Sequence, residues 1–369
     1  MSARTAPSNA RRPILFAGGG TGGHVIPLIA VAEELRRRGR EARFVGTRSG
    51  IEARLVPARG FAMDFIDIGG LKRVGVRQTL TTLWQLPVST LRMWRRLREL
   101  RVAALFSLGG YVAAPAVLAA LALGIPVVAM EPNAVPGMTN RRLGRFAATT
   151  LLGFPEAAAF FPPGKSEATG LPVREEFFAL PPKPRGERLH LLITGGSRGS
   201  RTLNEASRAS WKRFRETGRT IEITHQSGAD RYEELRAEFA ATGLPGRVTP
   251  FLEDMPAAFA QADLVVCRSG AGAVAELAAA GKPGVLVPFP FAADDHQSRN
   301  AAAFERAGAA RLIPDKEMTG DRLFQVVTEL AAEPGTLERM GEAARGLGRP
   351  GAARRAADIL EELAGANRR

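Results

Sequence analysis

The 369-residue sequence is poor in cysteine, histidine, tryptophan and tyrosine. The single cysteine, Cys267, excludes a disulfide within the chain and a thiolate-rich metal cluster, and it fits a reducing compartment. Three Trp and two Tyr are too few for a platform on which nucleic-acid bases stack, so we expect no nucleic-acid partner. The few histidines that could serve chemistry are His24, His190, His225 and His296.

Long uninterrupted hydrophobic runs are also missing. Residues 102–130 carry no charge, but Gly109-Gly110 and Gly124-Ile125-Pro126 divide them. A membrane-spanning helix is therefore disfavoured, and we expect a strand at 103–108, a buried helix at 114–123 and a strand at 127–130. Residues 1–12 are basic but no apolar signal core follows them, so we expect a frayed cytosolic N-terminus.

Basic side chains exceed acidic ones by 51 to 37, which gives a formal charge of +14, and only six of the 51 are Lys. Such a surplus attracts polyanions, namely nucleic acid, anionic membrane or phosphorylated substrates. The hydrophobic fraction of 45% suffices for packed interiors and excludes wholesale disorder. The length suits two domains of roughly 150–200 residues each.

Short aliphatic strands alternate with helical patterns, and the scheme starts twice. A strand at 14–17, a glycine loop and a helix at 25–38 begin the first half. A strand at 189–194, a second glycine loop and a helix from about residue 202 begin the second half. Such alternation implies a parallel sheet covered by helices. We predict an α/β protein of two Rossmann-like, doubly wound parallel-sheet domains facing across a cleft, at 13–165 and 166–349, with a last helix within 350–369 that packs on either domain.

The first glycine loop has the sequence GGGTGGH over residues 18–24. Glycines let the backbone approach an anion, and a helix N-terminus offers N–H donors and partial positive charge. A dinucleotide site is an alternative, because Gly18, Gly20 and Gly23 fit GxGxxG and Arg48 would permit NADP. A turn needed only for packing is another. His24 stands at the helix start, where a cation is disfavoured, so we expect a neutral imidazole that either takes a proton from a hydroxyl nucleophile or merely caps the helix.

Two loops of the second half repeat this design. Residues 195–199 add Ser197 and Arg198 to a glycine loop that suits a diphosphate. Residues 267–276 run from strand through small residues into a helix, where Glu276 either accepts hydrogen bonds from ribose hydroxyls or is a solvated helix residue. No Asp-x-Asp triplet occurs, so the usual carboxylate ligands of a nucleotide-bound divalent metal in sugar transferases are missing.

Eight motifs then occur in a recognisable order: GGGTGGH at 18–24, LGGY at 108–111, EPN at 131–133, PVR at 172–174, GGSRG at 195–199, FLEDM at 251–255, CRSGAGAVAE at 267–276 and DDHQSRNA at 294–301. Together they resemble the MurG family of peptidoglycan N-acetylglucosaminyltransferases over residues 13–320. The resemblance implies a GT-B fold and an inverting transfer that needs no metal and no cofactor. It implies a UDP-N-acetylglucosamine donor and the C4 hydroxyl of lipid I as acceptor, giving lipid II at the cytoplasmic face of the bacterial inner membrane. A GT-B transferase with another acceptor is the alternative.

The resemblance also implies roles for individual residues. His24 and Glu131 are candidates for the group that activates the acceptor hydroxyl, in a first domain that binds acceptor and membrane. Asn133 and Gln297 would contact the donor sugar, and Glu276 the ribose, with the second domain binding the donor. The other substrate-binding residues would be Thr21, Gly22, Gly23, Arg174, Ser197, Leu252, Ala271, Gly272, Ala273, Val274 and Ala275. Met130, Pro132, Leu171 and Gly272-Ala273 depart from the family pattern without removing a residue assigned to the chemistry.

Residues 72–101 combine Leu and Trp with many Arg. This composition suits a helix bound at the interface of an anionic membrane. We predict that Leu80, Leu83, Trp84 and Trp94 contact the membrane; a core-packing helix pair with a solvated basic face is the alternative.

Overall fold

The computed structural model describes residues 12–19, 22–68, 76–184, 186–196, 198–217 and 220–366. The chain divides into two compact units. The first comprises Met1–Pro132, Pro136–Pro172 and Gly351–Arg369, and the second comprises Asn133–Val135 and Val173–Pro350. Each unit is built on one parallel sheet with helices, so the predicted α/β class of two Rossmann-like domains is confirmed.

The sheet of the first unit has the strand order β3-β2-β1-β4-β5-β6-β7, and every pairing is parallel. The order reverses between β1 and β4, and open α/β sheets bind ligands beyond the carboxyl ends of the strands at such a point. The strands are β1 (Ile14–Ala17), β2 (Ala42–Gly46), β3 (Ala62–Phe65), β4 (Ala104–Ser107), β5 (Val127–Glu131), β6 (Thr149–Leu152) and β7 (Ser166–Glu167).

The helices of the first unit cover this sheet with apolar faces. In α1 the side chains of Val25, Leu28 and Leu35 are buried, because positions three and four apart share one face of a helix. The helices are α1 (Gly22–Arg37), α2 (Glu52–Ala58), α3 (Val76–Glu99), α4 (Gly110–Ala122), α5 (Met138–Leu143) and the last helix, α13 (Ala352–Ala366), with 3-10 helices at Gly144–Phe146 and Pro155–Phe160.

The uncharged run at 102–130 folds as the sequence predicts, into β4, α4 and β5. Gly109 and Gly110 have φ angles of +75° and +76°, in the left-handed region that favours glycine, and they turn the chain from β4 into α4. Within the described ranges, no helix has both the length and the apolar character that a membrane span requires.

The second unit repeats the design with the strand order β10-β9-β8-β11-β12-β13, again parallel throughout. Its order reverses between β8 and β11. The strands are β8 (Leu189–Thr194), β9 (Ile221–Gln226), β10 (Gly246–Thr249), β11 (Leu264–Cys267), β12 (Gly284–Leu286) and β13 (Ala310–Leu312). The helices are α6 (Arg201–Glu216), α7 (Tyr232–Thr242), α8 (Met255–Gln261), α9 (Ala271–Ala280), α10 (His296–Arg306), α11 (Gly320–Ala332) and α12 (Thr336–Leu347), with 3-10 helices at Glu175–Phe177, Ala293–Asp295 and Asp315–Glu317.

The last helix, α13, belongs to the first unit and packs against α1. Arg38 joins the two, with its guanidinium 2.6 Å from Asp358 and 3.0 Å from Glu361. Arg355 of α13 also pairs with Glu167 of β7 at 2.8 Å. These ion pairs connect α13 to the C-terminal end of α1, whose first turn carries His24, and to β7.

Candidate active site

The first glycine loop leaves β1 at the point where the strand order reverses. A Cβ at Gly18 would lie 3.0 Å from a methyl group of Leu28, and one at Gly19 would overlap the Glu52 carboxylate. The buried Glu52 carboxylate therefore leaves no room for a side chain at Gly19, and Leu28 leaves little at Gly18. Gly22 and Gly23 begin α1, whereas the predicted site residue Thr21 lies outside the described residues.

Glu52 is a residue of this loop's surroundings that the sequence analysis did not find. Its buried carboxylate accepts hydrogen bonds from the backbone N–H of Thr47 at 3.0 Å and the Thr47 hydroxyl at 2.9 Å. A Cβ at Gly50 would also overlap it. The spacing of glycine and Thr before an acid in GTRSGIE, residues 46–52, is the sequence signal that was available.

His24 lies in the first turn of α1 and is half-buried. Its Nδ1 is 3.2 Å from the carbonyl oxygen of Gly19. Because a carbonyl oxygen only accepts hydrogen bonds, Nδ1 is the protonated nitrogen, and in the neutral ring Nε2 then carries the lone pair. The loop thus selects the tautomer in which Nε2 is able to accept a proton.

Glu131 ends β5, two strand spacings or about 10 Å from β1 across the sheet. Its buried carboxylate accepts hydrogen bonds from the backbone N–H of Gly137 at 3.1 Å and from Nδ2 of Asn140 at 3.0 Å. Asn140 in turn donates to the carbonyl of Met130 at 2.8 Å and packs against Gly109, where a Cβ would lie 2.6 Å from its amide oxygen. These contacts make Glu131 an anchor for the turn that leads into α5.

In the second unit, Glu276 lies in the second turn of α9. Burial of its carboxyl raises the pKa to about 7, although the positive charge of Arg174 acts in the opposite direction. Arg174 itself lies over the ring of Phe177, 5.1 Å from the centroid. A carboxyl group of this kind changes charge near neutral pH, so its ionisation is easily coupled to a ligand.

The N-terminus of α9 has no side-chain cap, since Gly270 occupies the capping position. Its first N–H groups point out of the helix with the positive end of the helix dipole, which favours phosphate oxygens. Ala271 and Val274 face the core, while three small residues leave the backbone of this turn accessible: Gly272, Ala273 and Ala275. The N–H groups of Ala271, Gly272 and Ala273 therefore have the local geometry of an anion site. The N–H of Val274 is bonded to the Gly270 carbonyl at 3.1 Å, and that of Ala275 continues the helical pattern, so these two predicted donors are used within the helix.

Gln297 lies in the first turn of α10 and is tied to the loop before α9. Its Oε1 accepts from the backbone N–H of Phe289 at 2.9 Å, and its backbone carbonyl accepts from the hydroxyl of Ser269 at 2.9 Å. Asn133 belongs to the same unit and reaches the same loop through Asn300, whose Nδ2 lies 3.1 Å from Oδ1 of Asn133. The structure thus brings the two predicted sugar-contacting residues onto one network.

The second glycine loop follows β8. Gly196 and Gly199 have φ angles of +80° and +74°, and a Cβ at Gly199 would overlap the carbonyl of Ser227. Gln226, which the sequence analysis missed, donates to the carbonyl of Gly196 at 2.8 Å and accepts from the Thr194 hydroxyl at 2.7 Å. The predicted residue Ser197 lies outside the described residues.

Leu252 is buried beside a cavity of about 200 Å³. The neighbouring Phe251 is half-exposed at the same cavity and offers an aromatic face that the sequence analysis also missed. Among the described residues, no three His, Cys, Asp or Glu side chains are grouped closely enough to hold a metal ion.

Two family models match most of the chain, one for each half. Residues 14–152 match the glycosyltransferase family 28 N-terminal domain, and residues 190–363 match the glycosyltransferase family 28 C-terminal domain. A protein of Solibacter usitatus is 60% identical over 98% of each chain, and its name is UDP-N-acetylglucosamine--N-acetylmuramyl-(pentapeptide) pyrophosphoryl-undecaprenol N-acetylglucosamine transferase. This chain belongs to the MurG family of glycosyltransferases.

A relative from Myxococcus xanthus with the same name is 40% identical over 95% of this chain and 92% of its own. The crystal structure of MurG from Acinetobacter baumannii covers 95% of this chain and 99% of its own, at 33% identity and a TM-score of 0.79. The family resemblance and the GT-B fold class predicted from the sequence are therefore confirmed. The roles of the individual site residues stay predictions.

Proposed function

We propose that this MurG-family glycosyltransferase moves N-acetylglucosamine from UDP-N-acetylglucosamine to the C4 hydroxyl of lipid I, the N-acetylmuramyl-pentapeptide carried on undecaprenyl pyrophosphate, and so forms lipid II for peptidoglycan. The observation that carries the proposal is the 60% identity, over 98% of each chain, to the transferase from Solibacter usitatus. The contacts within each unit support the roles that we assign below to residues of the donor and acceptor sites.

The second unit is assigned to the donor. The N-terminus of α9 binds the diphosphate through backbone N–H groups. Arg174 and Ser197 are assigned to the nucleotide, and Asn133 and Gln297 to the sugar. The Glu276 carboxylate accepts hydrogen bonds from the ribose hydroxyls. The backbone of Leu252 meets the uracil edge, and the exposed ring of Phe251 is placed to stack on a base.

The first unit is assigned to the acceptor, and His24 is assigned the role of general base. Nε2 takes the proton of the acceptor hydroxyl while its oxygen attacks the anomeric carbon. The bond to the diphosphate breaks as the new glycosidic bond forms, so one displacement inverts the anomeric centre and UDP leaves. The backbone N–H groups at the N-terminus of α9 and the guanidinium of Arg174 stabilise the negative charge on the departing UDP. Glu131 supports the site by holding the turn into α5.

The donor assignment is tested by titration calorimetry of the purified protein with UDP-N-acetylglucosamine in excess EDTA, with NADPH as the control ligand. We expect binding of the uridine sugar and none of NADPH. A dinucleotide site needs an acid for the ribose hydroxyls or an Arg for the 2′-phosphate. Here the buried Glu52 carboxylate is hydrogen-bonded to Thr47, and the Arg48 guanidinium lies over the ring of Phe65. Binding of NADPH without binding of the uridine sugar would contradict the assignment of both glycine loops.

We further propose peripheral binding to the cytoplasmic leaflet of the inner membrane through α3. The side chains of Trp84, Val88 and Leu91 are exposed and lie on one face of this helix at spacings of four and three residues. The same stripe continues into the exposed Arg95 and Arg98. An apolar face that ends in basic residues suits an anionic interface, where each basic residue adds about 1 kcal/mol.

The remaining predicted membrane contacts differ in their surroundings. Trp94 is half-buried against the core of the first unit, with the Arg98 guanidinium 4.7 Å from its ring centroid. Val88 and Leu91 therefore take its place in the proposed surface. The side chains of Leu80 and Leu83 lie outside the part of α3 whose burial is described.

Replacing Trp84 and Leu91 together with Ser should weaken co-sedimentation with phosphatidylglycerol vesicles by at least about tenfold, since both apolar side chains lose their place in the interface. The matched control is Phe65→Ser, which removes an exposed aromatic side chain from the edge strand β3. Equal sedimentation of the double variant and the wild type would refute membrane binding through α3.

A further inference from the structure

Asn300 is a buried polar residue of α10 to which neither the sequence analysis nor the proposed function gives a role. Its Oδ1 accepts from the backbone N–H of Ala134 at 3.0 Å. Its Nδ2 donates to the backbone carbonyl of Ser269 at 3.2 Å and to Oδ1 of Asn133 at 3.1 Å. One side chain thus joins Asn133 to the loop that leads into α9.

The backbone partners decide which end of each amide is which. The N–H of Ala134 is a donor and meets an oxygen, whereas the carbonyl of Ser269 is an acceptor and meets a nitrogen. This fixes the Asn300 amide without reference to any side chain. Its second N–H then reaches Asn133, and the atom of Asn133 that receives it is the oxygen. The NH2 group of Asn133 is consequently the end turned away from Asn300.

Gln297 has the same polarity for an independent reason. Its Oε1 accepts from the backbone N–H of Phe289 at 2.9 Å, so its NH2 group is the end turned away from that backbone. In each of the two predicted sugar-contacting amides, the NH2 group is therefore the end opposite these hydrogen bonds. Oxygen atoms of a sugar, whether of hydroxyl groups or of an acetamido carbonyl, are the acceptors that such donors recognise.

We propose that Asn300 is a positioning residue for donor recognition, which holds the Asn133 amide with its NH2 group toward the sugar and so makes this subsite select an acceptor oxygen. The proposal rests on the proposed function in one respect, the contact of Asn133 with the donor sugar. Asn300 acts through Asn133 and does not itself touch the substrate. It also links the sugar subsite to Ser269, one residue before the capping Gly270 of α9.

The test compares the dissociation constants of UDP-N-acetylglucosamine and of UDP, which lacks the sugar. Asn300→Asp keeps the acceptor for Ala134 but removes the NH2 group that donates to Asn133 and to the Ser269 carbonyl, so Asn133 turns its own NH2 toward the new carboxylate. Asn133→Asp leaves Asn300 in place and removes the proposed donor to the sugar. For both variants we expect the affinity for UDP-N-acetylglucosamine to fall about tenfold or more relative to the affinity for UDP.

A double-mutant cycle separates orientation from folding. In an Asn133→Ala background, Asn300→Asp should leave the ratio of the two dissociation constants unchanged, because the amide that it orients is gone. Thermal unfolding of each variant reports stability separately. Asn300→Ser, which places no charge in this buried position and also removes the donor to Asn133, replaces Asn300→Asp if that variant folds poorly, and we expect the same selective loss.

Equal losses for both ligands, an unchanged ratio in Asn133→Asp, or an effect of Asn300→Asp that persists without the Asn133 amide would each overturn the positioning role. A wild-type protein that fails to bind UDP-N-acetylglucosamine would instead overturn the proposed function.

Discussion

Replacing His24 with Asn should lower the turnover number for transfer by about 10²–10⁴-fold while leaving the dissociation constant of UDP unchanged. The side-chain N–H of Asn lies close to the place of Nδ1 in His, so it is able to keep the bond to the Gly19 carbonyl while the proton acceptor at Nε2 is lost. The measurement is a single-turnover assay at saturating donor. UDP affinity is determined in parallel, because the nucleotide residues belong to the second unit and His24 to the first.

The matched control for this prediction is Glu131→Gln. A Gln oxygen still accepts from the N–H of Gly137 and from Asn140, so we expect a folded protein whose turnover stays within about tenfold of the wild type. The reverse pattern, with the Glu131 variant inactive and the His24 variant nearly normal, would identify Glu131 as the base and refute the role of His24.

The second large effect concerns Glu276. Because its carboxyl has a pKa of about 7 in the ligand-free protein, UDP affinity should rise with pH between 6 and 8 as the group ionises and accepts the ribose hydroxyls. Glu276→Gln should lower UDP affinity at pH 8 by about 10–100-fold. It should also remove this part of the pH dependence. The terminal phosphate of UDP titrates near the same range, about pH 6, so the slope is read as the difference between variant and wild type.

The raised pKa of Glu276 should affect folding stability in the opposite direction, so that stability falls with pH while UDP affinity rises. Its pKa in the folded chain is raised from 4.5 to about 7, so the folded state binds the proton more tightly than the unfolded state. Stability without ligand therefore falls as pH rises from about 4.5 to 7 and levels off above 7. Glu276→Gln buries no charge, so its thermal unfolding temperature should exceed that of the wild type at pH 8 and match it near pH 4.5. A variant less stable than the wild type at pH 8, or a wild-type UDP affinity with the same slope as the variant, would contradict this account.

The sequence predicted the strands best at the centre of each sheet. The predicted strands at 14–17 and 189–194 coincide with β1 and β8, because a strand buried on both faces reads as a largely aliphatic run. The strands that were missed lie toward the sheet edges. The side chains of β3 are partly exposed, and β7 has two residues, so neither carries enough apolar residues for a pattern to stand out.

The sequence predicted the loops of the candidate site but not the buried polar residues that hold them. Glycines between strand and helix are visible in the sequence, and so is His24. Glu52, Gln226 and Asn300 look like ordinary polar residues, since their burial depends on partners distant in the chain. The sequence also placed Glu276 near a helix N-terminus that favours a carboxylate, whereas in the folded unit burial outweighs that effect and raises its pKa.

The most direct test of the central claim is transfer itself, measured with isotopically labelled UDP-N-acetylglucosamine and lipid I in excess EDTA. The proposed function predicts label in lipid II, joined at the C4 oxygen with inverted anomeric configuration, in the wild type. Release of UDP without labelled lipid, retention of configuration, or transfer that appears only when a divalent metal is restored would contradict it.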